Sequence, residues 1–563
     1  MLTFAQAPTV TKVEPPNWWA GYSINPVRLL IRGSGLNGAS VSGSLKTSKV
    51  RVNDTGTYLF VDVAIPRGTK PGPVPLTLKT ADGTAAIPFE ISEAMPREGR
   101  FQGFSPDDVI YLIMPDRFSD GDPSNNDPEI SKGLFDKTKP RYYHGGDLQG
   151  IINRLPYLKN LGVTAIWVNP VYDNVNHLNT KEVYDGQPIT DYHGYGAVDF
   201  YGVEEHFGTL SKFREMVDAA HSAGIKVIQD QVANHTGPFH PWVSDSPLPT
   251  WYHGTAANHI NETWQTWTLA DPHSTDEVRK STLDGWFINL LPDLNQEEPE
   301  VARYLIQNTL WWIGVSGLDG VRQDTLPYVP RTFWKEWMAA IHREYPKFRV
   351  VGEMFDGDPA LVSFFQGGRK QFDGFDSGVD TLFDFPLFYA VRNVFAGGKP
   401  ARDLPSMLAH DRLYPDASML VTFLGLHDVD RFMNVQGASV ERLKLAFTFL
   451  LTTRGIPMIY YGDEVALPGG NDPDNRRDFP MEKFENPGEL YTYIAKVAKM
   501  RSDNECLRRG PVATIEATET VYAFSRKSGA CEATVVLNTG SQEATVDGIR
   551  VGPLSGEIRV KRP

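Results

Sequence analysis

Cysteine is scarce: Cys506 and Cys531 are the only two in 563 residues. That excludes a disulfide-stapled scaffold or a thiolate metal cluster as the basis of the fold. The two can pair in an oxidising compartment or remain as buried thiols. No apolar run approaches the roughly 20 residues a spanning helix needs, so no membrane insertion is expected. Basic residues are outnumbered, 55 Lys and Arg against 69 Asp and Glu, leaving a net charge of −14. Nucleic acids and anionic membranes select basic faces, so neither is an expected partner, and a neutral substrate fits better. Internal repeats and low-complexity tracts are also absent, which excludes solenoid and disordered classes.

What is present is ordinary globular composition, 41% hydrophobic and 22% charged. The length points to two or three domains. Leu59, Val61, Val63 and Ile65 alternate, as do Val74, Leu76 and Leu78, then Ile87, Phe89 and Ile91, with Gly- and Pro-rich turns between. That period of two predicts an immunoglobulin-like β-sandwich over residues 1–100. Trp18 and Trp19 are expected to pack, one inside the sandwich and one at an interface, in preference to stacking on sugars. From about 105 the pattern becomes strand–helix alternation. Val109 to Met114 reads as a strand; Ile151, Leu155 and Leu158 mark a helix face; the strand at Ile166 follows. Repeated βα units predict an α/β class (β/α)8 barrel over 101–505. Its sixth strand falls around Val379 to Phe385. Residues 235–316, between the third and fourth strands, are too long for a plain connection and mark a functional insertion. Val521 to Phe524 and Ala533 to Leu537 predict a small β-domain over 506–563.

The chemistry sits at the ends of short apolar runs. Gly320-Val321-Arg322-Gln323-Asp324, Val351-Gly352-Glu353 and His427-Asp428 each close with an acid. A parallel barrel delivers side chains to its C-terminal rim at those places. A retaining glycosidase needs one carboxylate as nucleophile and a second carboxyl as acid/base, roughly 5 Å apart. A guanidinium two residues before the first acid favours its charged form. Asp230-Gln231-Val232-Ala233-Asn234-His235 closes another strand.

In this order, with Leu291-Pro292-Asp293-Leu294-Asn295, Gly162 to Pro170 and Gly455 to Glu464, these motifs resemble the α-amylase family, glycoside hydrolase family 13. The resemblance covers most of the chain. It implies domain B in the 235–316 insertion. It implies Asp324 as nucleophile, Glu353 as acid/base and Asp428 as the third catalytic acid, holding sugar hydroxyls. Arg322, His235, His427, His193 and Tyr195 then bind substrate, and Asp230 is supporting. Within the family, Pro15-Pro16-Asn17-Trp18-Trp19 and Asp472-Pro473-Asp474-Asn475-Arg476 are similar to bacterial cyclomaltodextrinases and neopullulanases. Asp472 and Arg476 match cleft residues there, a surface ion-pair loop being the alternative. The turn Phe118 to Asp127 resembles that group's calcium loop, mapping structural Ca2+ onto Asp120, Asp122, Asn125, Asn126, the Gly145 carbonyl and Asp147. Asn234 is a weaker metal candidate. The fifth motif has Asp293 where the group usually has Lys, nearer to plain amylases, and Met354 follows Glu353 where the group often has Trp.

The resemblance implies a retaining hydrolase of α-1,4-glucosidic bonds acting on an α-glucan or cyclodextrin, and it allows a homo-oligomer. A general α-amylase or 4-α-glucanotransferase is the alternative enzyme. A non-catalytic carbohydrate-binding barrel is disfavoured by the intact acids. Ala5-Gln6-Ala7 before Pro8 has the small-x-small form of a signal-peptidase site. A periplasmic or secreted protein is therefore expected, with a cytoplasmic one as the alternative.

Overall fold

The structure is a computed structural model describing residues 7–561; the Ala5-Gln6-Ala7 segment lies largely outside them. Two four-stranded sheets form the N-terminal sandwich. One contains Thr9–Glu14, Val27–Ser34, Tyr58–Ala64 and Lys46–Val52; the other contains Asn17–Trp19, Gly83–Ser92, Gly72–Thr80 and Ser40–Gly43. Gly72–Thr80 and Gly83–Ser92 alternate buried and exposed, as expected of a sheet with one wet face. Tyr58–Ala64 does not. Phe60 and Asp62 are as buried as Leu59 and Val61, because the barrel covers their face. The Phe60 ring lies 6.1 Å from that of Trp251. Asp62 accepts ion pairs from Arg28 and Arg303, and Arg28 also reaches Glu300 at 2.6 Å. Trp18 and Trp19 are buried, so neither presents a ring to a sugar. Trp19 stacks on Tyr22 at 4.8 Å. It also lies so close to the helix Pro299–Ser316 that a Cβ on Gly314 would come within 2.6 Å of its ring.

Eight parallel strands make the barrel: Ile110–Ile113, Ala165–Val168, Lys226–Gln231, Gly320–Gln323, Arg349–Gly352, Thr381–Leu382, Val421–Phe423 and Ile456–Tyr460. Chain neighbours are sheet neighbours throughout, the first strand pairs with the eighth, and a bridge from Phe383 to Val421 closes the ring. The sixth strand is only two residues long, which explains its faint pattern in the sequence.

The insertion after the third strand is shorter than 235–316. Pro299–Ser316 is an 18-residue barrel helix, started by the Glu298 side chain on the Glu300 N–H. It ends at Gly317, whose φ of 80° allows its N–H to bond Ile313. A second excursion follows the second barrel strand. It carries the antiparallel pairs Tyr172–Asp173 with Asp199–Val203 and Asn179–Tyr184 with Gln187–Ile189. After the helix Glu489–Asp503, a four-stranded antiparallel sheet forms the C-terminal domain. A disulfide joins Cys506 to Cys531 there, so the two thiols pair.

Candidate active site

The register of the fourth and fifth strands sets Arg322 beside Val351 and Gln323 beside Gly352. Asp324 and Glu353 therefore leave the barrel rim side by side. Arg322, fully buried, spans both: Nη1 donates to Asp324 Oδ1 at 2.7 Å and Nη2 pairs with Glu353 Oε1 at 2.7 Å. Two carboxylates on one planar fork are closely spaced, which fits the roughly 5 Å of a retaining pair and leaves little room for an intervening water. Nη1 also donates to Asp230 Oδ1 at 2.9 Å. Asp230 accepts from Trp167 Nε1 at 3.0 Å and Tyr195 Oη at 2.8 Å, so it fixes the guanidinium and touches no open space.

Burial is the main force on Glu353; with Asp324 and Asp428 adding to it and Arg322 opposing, the carboxyl is pushed up to about 8. A carboxyl protonated near neutrality, beside one held by Arg322 Nη1 and the Thr325 hydroxyl, separates the acid role from the nucleophile role. The Thr325 N–H donates to Glu353 Oε2 at 3.1 Å and holds the carboxyl in place.

Asp428 completes the rim. Its Oδ1 accepts from Arg476 Nη2 at 3.0 Å and its Oδ2 faces His427 Nε2 at 3.1 Å. Burial drives His427 and His193 well below the ordinary imidazole range and takes His235 to about 4. All three are neutral hydrogen-bonding groups near neutral pH. Tyr195 stacks parallel to His427 at 5.4 Å. Asp472 accepts from Arg141 at 2.5 Å and lies 3.4 Å from Arg476 Nε, so the Asp472–Arg476 loop is an ion pair that lines the cleft. These residues surround an open cavity of about 720 Å³.

The alpha amylase catalytic-domain family matches residues 112–512, and the cyclomaltodextrinase N-terminal family matches residues 12–94. The chain belongs to the α-amylase family. A cyclomaltodextrinase from Thermoanaerobacter pseudethanolicus is 32% identical over 453 residues, covering 78% of this chain and 71% of that protein. A beta/alpha-amylase from Paenibacillus polymyxa is 36% identical over 452 residues, but this chain spans only 34% of its length. The crystal structure of an Anoxybacillus α-amylase superposes with a TM-score of 0.69 at 33% identity, over 81% of this chain and 98% of that one.

Several residues of this α-amylase-family cleft carried no motif. Arg141, Glu182, Trp264, Phe287, Tyr328 and Phe355 line it from the segments that rise above the barrel rim, Glu182 from the strand Asn179–Tyr184. Trp264 is 50% exposed and Phe355 44%, unusual for rings that size and consistent with platforms for sugar faces. Asn169, inside the second-strand motif, donates to Tyr195 Oη at 2.7 Å. Their signal was limited to residue type, because loop geometry brings them together.

The 120–126 turn divides its candidate ligands. Asp147 caps the helix Leu148–Leu161 through Gly150 N–H at 2.6 Å and also accepts from Asp122 N–H at 2.8 Å. Asp122 Oδ1 is occupied by Ser124. In contrast, Asp120 Oδ1, Asn125 Oδ1 and Asn126 Oδ1 are buried without a hydrogen-bond partner among the described residues. Gly145 has φ 84°, and a Cβ there would lie 2.6 Å from Asn126 Oδ1. Oxygen atoms crowded together without donors suit a hard cation. Asn234 has no such character: with its amide turned so that oxygen and nitrogen both find partners, it accepts from His235 Nδ1 and donates to Asp293 Oδ1 and the Tyr328 carbonyl, each at 3.2 Å.

Proposed function

We propose that this protein is a retaining α-glucan hydrolase of the cyclomaltodextrinase–neopullulanase type. It would cut α-1,4-glucosidic bonds in cyclodextrins, maltooligosaccharides, pullulan or starch. The observation that carries this reading is the Arg322 fork holding Asp324 and Glu353 together at the floor of the cleft. Asp324 attacks the anomeric carbon while Glu353 gives its proton to the departing glycosidic oxygen, forming a covalent glycosyl-enzyme. Glu353, now ionised, takes a proton from water as the water attacks the same carbon and displaces the Asp324 carboxylate. Asp428 and neutral His235 and His427 hydrogen-bond sugar hydroxyls around the flattened ring. The family's related enzymes acting on cyclic glucans and the matched N-terminal domain support the substrate class. Product analysis on cyclodextrin, pullulan and starch side by side tests it. Cleavage of none of the three would refute it.

Transfer to a sugar hydroxyl is the second reading, favoured by one feature. Phe355, two residues past the acid/base and exposed in the cleft, offers an apolar face to an incoming sugar.

Calcium at the 120–126 turn is part of the proposal, with Asp120, Asn125, Asn126 and the Gly145 carbonyl as ligands and Asp122 and Asp147 shaping the turn. Such an ion would brace the loop after the first barrel strand. We also assign the protein to a periplasmic or extracellular location, supported by the Cys506–Cys531 disulfide. Thiol labelling of freshly isolated enzyme, with and without reductant, tests that assignment: label taken up without reductant would count against it.

A further inference from the structure

We propose a cation site of different make-up, built by the turn Asp173–Asn176 and the turn Glu204–Glu205. Asp173, Glu204 and Glu205 each bring a carboxylate oxygen within 4.8 Å of the others. Three carboxylates at that spacing repel strongly, and the repulsion is relieved either by protons on the acids or by a cation among them. The nearby ammonium does not serve, because Lys12 is engaged by Glu14 at 2.9 Å and Asp199 at 2.5 Å. Independent of the charges, Asn174 is fully buried, its N–H donating to Glu204 Oε2 at 3.0 Å and its Nδ2 to the Tyr172 carbonyl at 2.9 Å. Its amide oxygen is left over, on a residue whose own backbone already meets Glu204. That atom, Asn176 Oδ1, Asp173 Oδ1 and Glu205 Oε1 are all buried without a partner among the described residues. A buried acceptor left unmet costs about 1–3 kcal/mol, so four in two adjoining turns call for a common ligand.

The candidate donors are oxygen only, three converging carboxylates and the buried amide oxygens of the same turn, with no imidazole or thiolate. That selects a hard divalent cation, and an irregular set of oxygens favours calcium over the stricter octahedron of magnesium. The ion would clamp the two edges of the excursion after the second barrel strand, where Asp173 pairs with Asp199 and the Glu204 N–H donates to the Val171 carbonyl at 3.0 Å. That excursion carries Tyr195, so the site sets the frame of the cleft wall without touching substrate.

Melting curves of Asp173→Asn and Glu205→Gln against wild type, in chelator and in millimolar calcium chloride, test the site. Without calcium each variant should melt at or above wild type, since a like charge has been removed. With calcium the order should reverse, because only wild type gains the full mass-action stabilisation. Metal analysis after gel filtration in calcium should give each variant one calcium fewer per chain. The same melting order in both buffers, with an unchanged calcium count, would overturn the site. Should neither acid variant fold, Asn176→Ala carries the test. It should leave the chelator melting point in place and reduce the rise on adding calcium; an undiminished rise would equally overturn it.

Discussion

Asp324 and Glu353 share one guanidinium, each 2.7 Å from a different terminal nitrogen of Arg322. The arrangement fixes their separation, and Thr325 holds the second oxygen of each, its hydroxyl donating to Asp324 Oδ2 and its N–H to Glu353 Oε2. It also explains why Arg322 sits two residues before Asp324. Residues of like parity point to the same side of a strand, so both reach the barrel interior.

Asp324→Asn and Glu353→Gln should each lower kcat by several orders of magnitude while leaving the fold intact, since each removes one half of the double displacement. Steady-state kinetics on maltooligosaccharides, with circular dichroism as the folding check, would show this. Retention of more than about a tenth of wild-type kcat by either variant would remove its assigned role.

The raised Glu353 sets a pH dependence. Its carboxyl must be protonated to assist departure, and with a folded value of about 8 it loses that proton as pH rises through that range. The logarithm of kcat/KM should therefore fall on the alkaline side near pH 8. A profile flat well beyond that point would show that burial does not hold the proton as argued.

Arg476 should act through binding more than chemistry. Its fork orients Asp428 and the His427 carbonyl, and lysine keeps the charge but loses the fork. Arg476→Lys should lower kcat/KM by roughly tenfold or more, about 1.4 kcal/mol, largely through KM. An unchanged KM would place the ion pair outside the substrate's reach.

At the 120–126 turn, the three orphaned oxygens make a specific forecast. Chelator should lower the melting temperature and calcium restore it. Asn125→Ala should shrink that response while leaving the Asp147 cap and helix Leu148–Leu161 in place. An identical response in the variant would move the ion elsewhere.

Much of this was legible in the sequence, for a physical reason. Asp324, Glu353 and Asp428 follow apolar barrel strands, and strand ends are the part of a barrel that short motifs record. The sandwich also showed itself where one face meets water, as in Gly83–Ser92. Hidden features were those made by distant segments meeting. Phe60 and Asp62 break the alternation because Trp251, Arg28 and Arg303 cover them. Trp264 and Phe355 looked like ordinary aromatics until loops turned them to the cleft. The helix Pro299–Ser316 was read as insertion because 14 of its 18 residues are buried, which blurs the helical stripe.

The most direct test of the central claim is the anomeric form of the first product. If Asp324 attacks from within the short Arg322-bridged pair, two inversions return the starting configuration. Proton NMR of fresh maltooligosaccharide or cyclodextrin digests should show the α-anomer first, with the β-anomer growing only as mutarotation proceeds. Initial β-anomer would mean single displacement by water, and Asp324 would be a base and not a nucleophile.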